Sequence, residues 1–114
     1  MKKMTFIVFF GFFVATFAEA SFGAISYSPS IGETGEAWGW ATQAQAEDQA
    51  MAYCTVPDCR IVAWVENGCA SLAVSQHSTY QYATAWNSDR DWAESEALNA
   101  CGPDCLTRAW TCSF

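Results

Sequence analysis

Few residues in this chain have the type and spacing for covalent chemistry. His77 is the single histidine. It sits in Ser75–Thr79, a stretch that reads as a hairpin loop, with Ser75 and Ser78 beside it. A nucleophile needs a base within hydrogen-bond reach and a third group to orient that base. No Gly-x-Ser-x-Gly turn is present to present a serine, and His77 reads as a turn residue. With one histidine, a histidine-based metal site lacks its second ligand. Asp89-x-Asp91 with Glu94 offers oxygen ligands for calcium, but the same acids suit a solvated helix start. Two close carboxylates would serve a small hydrolase, yet no spacing among the acids selects a pair. The residues therefore assign no catalytic, cofactor-binding or metal-ligating role.

The aromatic set is richer. Six tryptophans and four tyrosines are present. Trp64 and Trp110 occupy matching places in an internal repeat and read as core residues that replace missing aliphatics. Trp38, Trp40, Tyr80, Tyr82 and Trp86 fall on short strands and are the expected binding surface. Trp and Tyr are favoured at interfaces because they bring large rigid contact area.

The elements that must position these residues follow a leader. Lys2 and Lys3 precede an uncharged apolar run, Thr5–Ala18, which ends in Ala18-Glu19-Ala20. This is the pattern of a secretory signal peptide cleaved after Ala20. At about 14 residues the run is short of the roughly 20 that span a bilayer. The expectation is an exported chain, periplasmic or secreted, with residues 1–20 as signal, 21–114 as one domain, and no membrane span after cleavage. The whole chain carries 5 basic and 12 acidic residues, a net charge of -7. Loss of Lys2, Lys3 and Glu19 makes the remainder more acidic and leaves Arg60, Arg90 and Arg108 as its cations. Nucleic acid is excluded as a partner, since it needs clustered positive charge. A cationic protein is the expected partner.

Residues 22–68 and 69–114 read as two copies of one unit. Ala46-Glu47, Ala50-Met51, Cys54 and Pro57-Asp58-Cys59 stand in the first copy. Ala93-Glu94, Ala97-Leu98, Cys101 and Pro103-Asp104-Cys105 stand in the second. Each copy reads strand, strand, helix, strand. Ala24–Ser28 alternates apolar and polar, as a half-buried strand does. Residues 28–35 read as a turn, and Ala37–Ala41 as a strand with Trp38 and Trp40 on one face. Thr42 caps a helix to about Tyr53, with Gln45 completing a capping box. Ala44, Ala46, Ala50 and Tyr53 make its narrow packing face. In the second copy a strand spans Tyr80–Trp86, a helix runs from Asp89 or Arg90 to Ala100, and a strand spans Leu106–Cys112. Acids early in the helices (Glu47, Asp48, Asp91, Glu94) suit the dipole.

Arg60–Glu66 and Cys69–Ser75 flank Asn67-Gly68, the strongest short hairpin signal. The implied hairpin puts Ile61, Ala63, Val65, Ala70, Leu72 and Val74 on one face, which is expected to meet the helices. The fold class expected is α+β. Two ββαβ repeats would form a mainly antiparallel sheet with two short helices on one face, stapled by disulfides.

All six cysteines follow the leader, and an even count in a short exported chain reads as a disulfide framework. The repeat suggests Cys54–Cys59 and Cys101–Cys105, leaving Cys69 for Cys112. The main rival joins the helix ends through Cys54 and Cys101.

Two stretches carry a resemblance. One is Phe22-Gly23-Ala24-Ile25-Ser26-Tyr27-Ser28. The other is Ala46-x3-Ala50-x3-Cys54-x4-Cys59-Arg60-Ile61-Val62-Ala63-Trp64, continuing to Cys69-Ala70. Together they resemble the small exported bacterial domains grouped as domain of unknown function family 4189. This copy departs in Asn87–Asp91 and in the shorter Cys101–Cys105 loop. The resemblance implies an exported bacterial domain and carries no catalytic residues. On function, the expectation is a non-catalytic binding domain of immunity, inhibitor or effector type that recognises a cationic protein. The alternatives are a small carboxylate-dependent cell-wall hydrolase or a structural envelope component.

Overall fold

The computed structural model describes residues 20–114; the expected leader lies outside the described residues except for Ala20. Strands β1 (Phe22–Tyr27) and β2 (Thr34–Trp40) are followed by helix α1 (Gln43–Ala52) and strand β3 (Arg60–Glu66). Strands β4 (Gly68–Ser75) and β5 (Tyr82–Asn87), helix α2 (Arg90–Cys101) and strand β6 (Cys105–Ser113) repeat the same order. The class is α+β with two ββαβ units, antiparallel pairing throughout, and three disulfides. The bridges are Cys54–Cys59, Cys101–Cys105 and Cys69–Cys112.

The single sheet is corrected to two. Each unit makes its own three-stranded sheet, ordered β2-β1-β3 and β5-β4-β6, with the unit's first strand in the centre. Strands β3 and β4, expected as a hairpin, lie in different sheets. Asn67 takes a left-handed φ of 53° while Gly68 does not, so the type I′ turn, which needs both, is not made. Asn67 instead turns the chain from one sheet to the other and exchanges hydrogen bonds with Ser21.

The inner faces of the two sheets meet through Ile25, Tyr27, Val65, Ala70, Leu72, Val74 and Ala109, with Val62, Ala63 and Tyr82 packed against them. The face expected to meet the helices is thus mostly the seam between sheets. Ile61 is the exception, since a bulge beside it moves it to the other side, against α1. Every residue of β4 is buried, because a sheet covers one side of it and α2 the other.

Each helix lies on the outer face of its own sheet, so the two helices are on opposite sides of the molecule and not on one face. Ala46 and Ala50 of α1 sit on Ala24 and Ala37, flanked by Phe22, Trp40 and Ile61. Ala97 of α2 sits on Ala73, beside Ala83 and Ala85. Small side chains permit this close approach. A Cβ added to Gly35 would lie 2.1 Å from the Ala50 carbonyl oxygen, and Ser26 Oγ donates to that same oxygen at 2.7 Å. Ala44 and Tyr53, expected in the packing face, are exposed.

Element ends moved modestly. Strand β2 begins inside the expected turn, and Tyr80 precedes β5. Thr42 caps α1 by accepting from Gln45 N, and Asp89 caps α2 by accepting from Trp92 N. Only α2 has an acid, Asp91, in its first turn, so the dipole argument applies to that helix alone.

Candidate binding surface

The edge strands carry the surface. Strands β2, β3, β5 and β6 flank the two central strands, and each contains the dipeptide Ala-Trp: Ala37-Trp38, Ala63-Trp64, Ala85-Trp86 and Ala109-Trp110. Successive side chains of a strand point to opposite faces. The alanine is taken into a packed layer and the tryptophan is left facing outward. Trp38 is 64%, Trp64 45%, Trp86 72% and Trp110 43% exposed. Trp64 and Trp110 are therefore surface residues, contrary to the core role expected for them. The cause is that the interior already fills with Tyr27, Ile25 and Leu72 between the sheets and alanine beneath the helices. The four edge-strand indoles are left outside these layers, whereas Trp40 packs against the alanines beneath α1.

The five residues expected to form a binding surface do not form one patch. Trp38, Tyr80 and Trp86 are exposed. Trp40 packs beside the α1 alanines. Tyr82 packs on Tyr27 with ring centroids 4.9 Å apart and accepts a hydrogen bond from Arg60. The four edge-strand tryptophans divide between two grooves. One, of about 560 Å³, runs between β3 and β5 and is lined by Val62, Trp64, Glu66, Thr84 and Trp86. The other, of about 530 Å³, runs between β2 and β6 and is lined by Glu36, Trp38, Arg108 and Trp110. The units correspond, so the grooves correspond: β3 faces β5 as β6 faces β2. Sequence reasoning missed Trp64, Trp110 and the exposed Trp92. The signal that was available is the fourfold Ala-Trp repeat.

The charges around these residues are unequal. Each arginine is engaged within the chain. Arg90 lies over the Trp110 ring, 4.0 Å from its centroid, and its Nε is 2.7 Å from Glu94. Arg60 donates to Tyr82, and Arg108 Nη2 donates to the Gly32 carbonyl at 2.6 Å. Among the described residues, Glu94 is the only carboxylate in an ion pair with an arginine.

The arrangements that resemble catalytic ones are structural. His77 Nε2 is 3.6 Å from Asp104, but its side chain is 79% exposed. Ser75 Oγ donates to Asp104 and accepts from His77 N, so the serine is not held by the imidazole as a nucleophile would be. The first unit repeats this link without a histidine, where Ser28 Oγ donates to Asp58 at 2.5 Å. The Ser28 hydroxyl, helped by the Ser30 N–H, holds the Asp58 carboxyl below its ordinary value against a smaller opposing effect of desolvation. A general acid needs the opposite shift. Asp89 caps α2 and Glu94 holds Arg90, which occupies two of the three acids considered for calcium. Glu33 lies close to the Cys54 and Cys59 sulfurs, but both sulfurs belong to a disulfide.

No described helix is long and apolar enough to cross a membrane. Neither a search of the curated proteins nor one of the solved structures gives a match. A family model does match, over residues 22–112, and so covers both sheets, both helices and all three bridges. With that match spanning the whole described fold, the chain belongs to the family described as Domain of unknown function (DUF4189).

Proposed function

We propose that the chain is an exported, non-catalytic binding domain that recognises a cationic protein, as an immunity protein or inhibitor of a cell-wall lytic enzyme would. One observation carries the reading: four edge strands each place a tryptophan on an acidic surface whose own arginines are already engaged. Exposed aromatic anchors supply contact energy. A field of one sign supplies steering and partner choice. The leader pattern and the three bridges support export, since disulfides persist in oxidising compartments.

Binding of the mature domain to purified cationic and anionic proteins of matched size tests the reading. Saturable binding to cationic proteins, weakening as salt rises from about 50 to 500 mM, is the expected result. Truncating Trp38, Trp64, Trp86 and Trp110 together to alanine abolishes it. Equal binding to both panels, or binding indifferent to salt, overturns the proposal.

A further inference from the structure

The two units are the same fold with different charges at one place. Trp64 pairs with Ala24 of the central strand β1, and Trp110 pairs with Ser71 of the central strand β4. Ala24 and Ser71 are themselves repeat partners, so the two tryptophans are structural equivalents. The first residue of each helix is likewise equivalent: Gln43 follows the cap Thr42, and Arg90 follows the cap Asp89. Four residues later stand Glu47 and Glu94. Gln43 Nε2 donates to Glu47 Oε2 at 2.8 Å, as Arg90 Nε donates to Glu94 Oε2 at 2.7 Å.

In the second unit this set is complete. The Arg90 guanidinium lies on the Trp110 ring and is paired with Glu94. In the first unit the tryptophan and the glutamate are present but the cation is not, because Gln43 is neutral, and Phe22, where the second unit has Cys69, stands with its ring 6.3 Å from that of Trp64. The first unit also has one acid more. Glu66 lies two residues beyond Trp64, on the same side of β3, where the second unit has the bridged Cys112. Trp64 is 45% exposed.

We propose that the exposed part of the Trp64 ring, which shares its groove with Glu66, is the seat of an arginine side chain from the protein's partner. The inference rests on the cationic-partner reading above and names the group that this partner supplies. The chain's own Arg90 on Trp110 displays the bound geometry. Arginine is chosen over lysine because its planar guanidinium stacks on an aromatic face while donating sideways to a carboxylate.

The probes are the tripeptide amides Gly-Arg-Gly and Gly-Gln-Gly, read on the indole N–H resonances of the mature domain. The arginine peptide shifts the Trp64 resonance saturably at millimolar concentration; the glutamine peptide does not. Trp110 responds less, because Arg90 already occupies one face of its ring. Gln43→Arg supplies the missing cation from within and weakens peptide binding at Trp64 by about tenfold, a change of the size that a cation–π contact supports. Arg90→Gln uncovers that face, and the Trp110 response rises. Both substitutions are at exposed or half-exposed helix starts, and unchanged circular dichroism verifies their folding. No Trp64 response, or a Gln43→Arg variant that binds as the parent does, overturns the seat. If cationic proteins still bind with salt sensitivity in that case, the binding reading survives and the seat alone is lost. If Trp64 takes the arginine peptide while no cationic protein binds, the seat stands and the binding reading falls.

Discussion

Breaking the Cys69–Cys112 bridge should cost this domain more stability than breaking either short bridge. The bridge joins paired residues of β4 and β6, 43 positions apart in sequence. The other two bridges span separations of 5 and 4. A cross-link limits the unfolded chain in proportion to the logarithm of the loop it closes. That gives roughly 4 kcal/mol for the long bridge and roughly 2 kcal/mol for each short one. Domains of this size hold only about 5–15 kcal/mol in total, and the layers beneath both helices are lined with alanine. For Cys69→Ala with Cys112→Ala, the melting midpoint should fall by roughly 15–30 °C, and by about half that for Cys54→Ala with Cys59→Ala. Thermal unfolding followed by circular dichroism, with thiols counted under denaturing conditions, provides the comparison. A long-bridge variant that melts within a few degrees of the short-bridge variant would refute the chain-entropy reasoning.

Three further outcomes follow from individual residues. Ser71 is fully buried and its hydroxyl has no hydrogen-bond partner among the described residues, whereas its repeat partner is Ala24. Ser71→Ala should raise stability by about 1 kcal/mol, read as a higher denaturant midpoint with unchanged slope; a lower midpoint would show that the hydroxyl is satisfied. Gly35→Ala places a methyl group against the Ala50 carbonyl oxygen and should cost about 3 kcal/mol, whereas Ala83, at the equivalent place opposite Ala73, already carries one. A Gly35→Ala protein as stable as the parent would show that α1 moves freely. Burial raises the Tyr27 phenol above its ordinary value, with a smaller opposing pull from Arg108, and its O–H donates to the Thr79 carbonyl at 2.6 Å. The folded state holds that proton more tightly than the unfolded chain, so this stability is present below about pH 10 and is lost as pH rises through the folded value. Tyr27→Phe should lower stability at pH 7 by about 1 kcal/mol and flatten the alkaline decline; an unchanged decline would assign it to other groups.

Sequence by itself determined the local elements and their duplication. Thr42 and Asp89 cap helices because their side chains accept the orphan N–H groups of a first turn, which is local chemistry. The repeat paired each helix-end cysteine with its near neighbour, and those bridges are the ones present. Tertiary structure decided how the units meet. Alternation along Arg60–Ser75 specifies two strands with one apolar face each, but a hairpin and a pair of stacked sheets satisfy that pattern equally. The choice fell to the competition for partners: β1 takes β3 and β4 takes β6, and Asn67 becomes a corner. The fate of the tryptophans was decided with it. Their size suggested a core, but the alanine-lined layers take in only the Trp40 indole, at their margin. In the Ala-Trp pairs on the edge strands the alanine takes the packed position and the tryptophan the exposed one, and the candidate surface follows from that division.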